Sequence, residues 1–83
     1  YPVGEKGLII GREPAQCDIV ISDTNVSRIH AWVTVEKGEV VVIDRGSTNG
    51  TFVNNAKVEK SKLKPGDVIN LGQECPATLT FKL

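Results

Sequence analysis

The chain has 83 residues and sets ten basic against ten acidic side chains, for a formal net charge of zero. That length allows one small core and one domain, expected to take up residues 1–83. Neutrality argues against a nucleic-acid or polybasic membrane surface, which needs a surplus of Lys and Arg, and no apolar run approaches the roughly 20 residues that span a bilayer.

Eleven Val and seven Ile, against five Leu, four Ala and no Met, favour strands, because β-branched side chains suit a pleated surface. Eight Gly and four Pro break the apolar runs at short intervals, and no window of about 11 residues carries helical periodicity. The pattern predicts an all-β sandwich or barrel. In chain order, strands are expected at Leu8–Gly11, Ile19–Ile21, Ala31–Glu36, Glu39–Asp44, Thr51–Val53, Val68–Leu71 and Thr78–Leu83. Lys37-Gly38 joins the third and fourth as a tight hairpin, with glycine free to take positive φ. Alternation puts Ala31, Val33 and Val35 on one face of the third strand and Trp32, Thr34 and Glu36 on the other. Asn54-Asn55 reads as a turn, and Pro65-Gly66 has the chemistry of a type II turn leading into Asp67.

Three polar segments interrupt this apolar background, each where a strand starts or stops: Gly11-Arg12, Ser27-Arg28-Ile29-His30 and Ser47-Thr48-Asn49-Gly50-Thr51. Loops gather at the ends of a sandwich, so segments distant in sequence can share one surface. Together they offer two guanidinium groups, several hydroxyls, an amide and backbone N–H groups. Guanidinium forks match phosphate oxygens and stay charged at physiological pH. No nucleophile has an evident base, so the set points to holding an anion.

With Asn54, and with Lys64-Pro65-Gly66-Asp67 followed by Ile69 and Gly72, these blocks resemble the forkhead-associated (FHA) domain across Leu8–Gly72. The resemblance implies an FHA/SMAD-like β-sandwich of two twisted, mainly antiparallel sheets whose loops at one end bind a phosphothreonine-containing peptide. It implies a signalling reader with no catalysis of its own and no cofactor. By the same resemblance Arg12 contacts the phosphate, Ser27 donates its hydroxyl to it, and Arg28 lies alongside as a second cation. Thr48 adds a hydrogen bond to the phosphate or nearby backbone. Asn49 holds the peptide main chain, and Asn25 falls where family members read the third residue after the phosphothreonine. Gly11, His30, Gly50 and Asn54 support the site structurally. Family members usually carry one more strand ahead of the segment matching Tyr1–Gly11, so the first strand is expected to be missing or shortened, leaving a sheet edge to be covered.

Other readings of the same residues fail on spacing. Asp23-x-Asn25-x-Ser27 opens like a calcium loop, but Arg28 and Thr34 occupy the positions that require Gly and Glu. Ser27 and His30 sit poorly for a nucleophile and base, and Gly46–Thr51 lacks the lysine of a nucleotide loop. Asn25-Val26-Ser27 and Asn49-Gly50-Thr51 both satisfy the glycosylation sequon, so glycans on a secreted protein would cover the site. The phosphopeptide reading and an intracellular location therefore go together. Cys17 and Cys75 are expected to be reduced, partly buried thiols. Trp32, on the outer face, either covers neighbouring strands or offers a second contact surface. Two other functions remain open: a phosphate-independent interaction or self-association module using the Trp32 face or the N-terminal edge, and a regulatory appendage of an enzyme outside this chain.

Overall fold

Two hairpins whose turns are settled by local chemistry organise the chain. The computed structural model describes Val3, residues 6–72 and residues 78–81. Among these residues there are nine strands: β1 (Leu8–Gly11), β2 (Ile19–Val20), β3 (Ala31–Glu36), β4 (Glu39–Asp44), β5 (Thr51–Val53), β6 (Ala56–Val58), β7 (Lys60–Lys62), β8 (Val68–Asn70) and β9 (Thr78–Thr80). Lys37 and Gly38 link β3 to β4 with φ of 52° and 79°, and Asn54 and Asn55 link β5 to β6 with φ of 50° and 70°. Paired positive φ values give the turn twist that suits a two-residue hairpin. At Pro65-Gly66 the Asp67 N–H donates to the Lys64 carbonyl at 3.0 Å, closing the turn into β8.

The strands form a five-stranded sheet, ordered β2-β1-β3-β4-β7, and a four-stranded sheet, ordered β6-β5-β8-β9. Every pairing is antiparallel except β1 with β2, which align Ile10 with Ile19 and Gly11 with Val20. The core lies between the sheets. Ile10, Ala31, Val33 and Val42 of the first sheet are buried in one cluster with Val53 and Ile69 of the second, joined by Val26, Leu63 and Leu71 from connecting segments. Each large aliphatic side chain so buried contributes at most about 1.5–3 kcal/mol.

The all-β sandwich stands as expected. Its first, third, fourth and fifth predicted strands keep their boundaries, while the second and sixth stop one residue short of Ile21 and Leu71. The last is described only as Thr78–Thr80, and residues 82 and 83 of the expected Thr78–Leu83 lie outside the described residues. No strand precedes Leu8 among the described residues.

Strands β6 and β7 escape the hydrophobic pattern because they are short and four of their six residues are exposed. Backbone pairing places them instead. Strand β7 lines Lys60 and Lys62 up with Ile43 and Val41, where the two lysines make ion pairs with Glu36 (2.6 Å) and Glu39 (3.0 Å).

The faces of β3 also depart from simple alternation. Val35 is 39% exposed where the hairpin leaves the sandwich, while Thr34 on the outer face is buried. Trp32 is half-buried on that outer face, beside Ile9 and Ile43 in register. Its indole N–H donates to the Lys6 carbonyl at 3.4 Å.

Candidate phosphate-binding site

The end of β1 and the segment before β3 meet more closely than a side chain would allow. A Cβ on Gly11 would stand 2.1 Å from the Arg28 carbonyl oxygen and 2.9 Å from Cys17 Sγ. Glycine here lets the Arg12 N–H donate to the carbonyls of both Ser27 and Arg28, each at 3.1 Å. The Arg12 Nε donates to the Val26 carbonyl at 3.1 Å. One of the five guanidinium donors is thus spent on fixing the side chain, and the fork of terminal nitrogens stays available.

His30 ties two loops together from beneath. It is fully buried. Its Nδ1 accepts from the Ser27 N–H at 3.1 Å, and its Nε2 donates to the Gly50 carbonyl at 2.7 Å. An acceptor at one ring nitrogen and a donor at the other define a neutral imidazole. Ser27 itself accepts the Thr48 N–H on its hydroxyl oxygen at 3.1 Å. With that lone pair engaged, the hydroxyl proton is free to donate outward.

Asp44, at the end of β4, shapes the loop that follows. Its carboxylate accepts from the hydroxyls of Ser47 and Thr51 and from the N–H groups of Gly46 and Ser47. The Ser47 hydroxyl also accepts the Gly50 N–H at 3.0 Å. Gly50 closes the turn with φ of 87°. Partial burial pushes the Asp44 carboxyl upward, but the hydrogen bonds from Ser47, Thr51 and Gly46 outweigh it and hold the group below its ordinary value of 3.8. The amide of Asn49 donates to the Asn25 carbonyl at 2.8 Å, and Asn25 is held in turn by Asp23, whose Oδ1 accepts its N–H at 2.8 Å.

These contacts bring Arg12, Asn25, Ser27, Arg28, Thr48 and Asn49 to one end of the sandwich. Arg12, Arg28, Thr48 and Asn49 are exposed there. Neither arginine makes an ion pair among the described residues, where the pairs present are those of Lys60 and Lys62. Asn54 lies elsewhere, which corrects its assignment to the support of this site. It caps the far end of β5, its amide donating to Asp67 Oδ1 at 2.9 Å and its Oδ1 accepting the Val68 N–H at 3.0 Å. The reason is direction: β5 starts at the loop end with Thr51 and carries Asn54 to the opposite one.

Three supporting residues were not singled out from sequence. Asp44 had a readable signal, an acidic residue just before Gly46-Ser47, the pattern of a side chain capping its own turn. Asp18 accepts the Ile9 N–H at 2.9 Å and steadies the return of the Arg12 loop. Lys57 lays its stem against Gly50, where a Cβ would meet its Cε at 2.9 Å; neither of these two had a local signal. Cys17, a half-buried thiol with no disulfide among the described residues, donates to the Arg28 carbonyl at 3.1 Å, and burial pushes its pKa up. Cys75 lies outside the described residues. No group of three or more His, Cys, Asp or Glu suited to a metal ion occurs among the described residues. Among the described residues no helix is long and apolar enough to cross a membrane.

A β-sandwich with exposed guanidinium groups at its loops, unpaired among the described residues, has the chemistry of an anion-binding module. The chain belongs to the FHA domain family, whose profile matches residues 8–72. It is 44% identical over 63 residues to the glycogen accumulation regulator GarA of Mycolicibacterium smegmatis, a match covering 76% of this chain and 39% of GarA. The chain thus spans less than half the length of that curated relative. A solved FHA domain analysed for phosphothreonine-dependent interactions is 42% identical, with a TM-score of 0.79 over 87% of this chain and 74% of that one. Mycobacterium tuberculosis EmbR, solved with a low-affinity phosphopeptide, is 32% identical, with a TM-score of 0.86 over 99% of this chain and 21% of EmbR. FHA domains are typically non-catalytic binding modules.

Proposed function

We propose that this phosphothreonine-dependent module binds its partner through Arg12, Ser27, Arg28, Thr48 and Asn49, with residues 1–83 acting as one FHA domain and performing no catalysis of their own. The observation that carries the assignment is the pair of exposed arginines whose backbones adjoin Ser27, whose hydroxyl accepts the Thr48 N–H. A phosphothreonine dianion placed there meets charge-assisted donors from both arginines and the Ser27 hydroxyl. Asn49 keeps one amide proton for its bond to Asn25 and has its carbonyl and second amide proton to hold the peptide main chain. Asn25, linked to Asn49 through its backbone, faces the flanking residues on that side. The partner is a phosphorylated protein or peptide inside the cell. A neutral chain gives no driving force for binding nucleic acid or a membrane surface.

The test is calorimetry on peptides selected from an oriented phosphothreonine library, with their unphosphorylated forms as controls. Charge-assisted hydrogen bonds contribute about 1.5–3 kcal/mol, so Arg12→Ala should weaken phosphopeptide binding about tenfold or more with the fold retained. A loss below about twofold, or equal binding of unphosphorylated peptides, would overturn the assignment in favour of a phosphate-independent interaction surface.

A further inference from the structure

A second surface adjoins the phosphate loops and is not used by them. Ile29 separates Arg28 from His30 in sequence and is 37% exposed. With Ile9, Trp32 and Arg45 it lines a shallow concavity of about 250 Å³. The Arg45 guanidinium carbon lies 5.8 Å from the centre of the Trp32 ring, within cation–π range. The Arg45 backbone N–H donates to the His30 carbonyl at 2.9 Å, which fixes this pocket to the residue that braces Ser27. Arg45 makes no ion pair among the described residues, where the pairs present belong to Lys60 and Lys62.

Position separates this pocket from the Asn25 side of the site. Asn25 and Asn49 lean toward the loops of the four-stranded sheet, where a Cβ on Gly72 would come within 3.2 Å of Asn49 Cβ. Ile9 and Trp32 sit on the outer face of the five-stranded sheet, paired with each other in register. Arg28 lies between the two flanks in the chain. A peptide anchored at Arg12 and Arg28 that passes Asn25 on one flank leads toward Ile29 on the other. The apolar floor of Ile9, Ile29 and Trp32 favours an apolar side chain, and the unpaired Arg45 at its rim favours a carboxylate beside it.

We propose that Ile9, Ile29, Trp32 and Arg45 form a second docking point for the phosphorylated partner, taking an apolar side chain with a neighbouring carboxylate from the flank of the phosphothreonine opposite the one that Asn25 faces. This deepens the phosphothreonine reading above and rests on it. The docking point sets which phosphorylated sequences bind, whereas the arginines at the phosphate set whether phosphate is needed.

The test uses a phosphothreonine peptide library degenerate on both flanks, screened against the wild type, Ile29→Asp and Arg45→Glu. Both substitutions fall on exposed side chains, and thermal melting checks that each variant folds. The wild type is expected to select an apolar residue with an acidic neighbour on the flank opposite Asn25. Ile29→Asp should abolish the apolar selection and weaken the selected peptide about fivefold or more, with its dependence on phosphate intact. Arg45→Glu should turn the acidic preference into a basic one at the same position. Phosphate-dependent binding with no selection on that flank, or selection unchanged in both variants, overturns the docking point alone. Binding indifferent to phosphate in the wild type overturns the phosphothreonine reading and this proposal with it. Self-association that Ile29→Asp abolishes would assign the patch to a second copy of the chain instead.

Discussion

The two ends of this sandwich are held together in different ways. At the end carrying the Lys37-Gly38, Asn54-Asn55 and Pro65-Gly66 turns, the backbone of each turn is set by its own residues, one side chain, Asn54, reaches across to Asp67 and Val68, and Lys60 and Lys62 pair with Glu36 and Glu39. At the other end, the loops are fastened by side chains reaching across the sequence: Arg12 to Val26, Ser27 to Thr48, His30 to Gly50 and Asn25 to Asn49. That end also carries Arg12 and Arg28, which have no acidic partner among the described residues. Local turns can absorb a change without disturbing their neighbours. The cross-braced end cannot, and that rigidity keeps its donors in place before a phosphate arrives, which lowers the ordering cost of binding.

The largest break in this contrast should come from a single methyl group. Gly11→Ala places a Cβ at 2.1 Å from the Arg28 carbonyl, so the two backbones must part. Overpacking of this kind costs about 1–3 kcal/mol of folding stability. Because the same contact sets Arg12 against Ser27, phosphopeptide affinity should fall about ten- to a hundredfold in calorimetry. Unchanged affinity in a folded Gly11→Ala protein would show that the phosphate donors do not depend on this close approach.

Asp44→Asn should act next in size. The substitution keeps the side chain's shape but removes the charge that draws the Ser47 and Thr51 hydroxyls and the two N–H groups together. Binding should weaken about threefold to tenfold through a loosened Thr48-Asn49 turn, because one oxygen that accepts two bonds becomes an NH2 donor and the bonds to the other lose their charge. The pH dependence has a definite sign. Asp44 is held below its ordinary value of 3.8, so its contribution to stability is complete above that pH and is lost as pH falls through the lower folded value. Denaturant titrations between pH 2 and pH 6 should show the Asp44→Asn protein losing less stability on acidification than the wild type.

The same division explains what the sequence could show. Strands with one apolar face and turns with their own residue chemistry were legible: Ala31–Glu36, Lys37-Gly38 and Glu39–Asp44 lie where local physics puts them. Strands β6 and β7 were not, because they are three residues long and mostly exposed, and pairing with β5 and β4 is what makes them strands. The site was legible as a set of residue types in order. Its geometry was not, since the Ser27 hydroxyl is oriented by Thr48, 21 residues away, and the Asn49 amide is tethered to Asn25, 24 residues away. Asn54 shows the opposite error. It belongs to the motif by order, yet β5 carries it to the other end of the fold.

That displacement supplies the smallest and most discriminating test. Asn54 and Asp67 form their own network, the carboxylate accepting from the Lys64 N–H at 2.8 Å and from the Asn54 amide at 2.9 Å. The Lys64 backbone bond, then the Asn54 amide, hold Asp67 below its ordinary value of 3.8. Like Asp44, it therefore supports the fold above that pH and ceases to do so as pH falls through its folded value. Both carboxylates share a sign of pH dependence but stand at opposite ends of the molecule. Asn54→Ala should cost about 1 kcal/mol of stability, the worth of one or two partly exposed hydrogen bonds. It should leave phosphopeptide affinity within about twofold of the wild type, because no loop contacting the phosphate hangs from it. A larger loss of affinity would mean that the ends communicate through β5. The local turns would then share in the site that the long-range contacts hold.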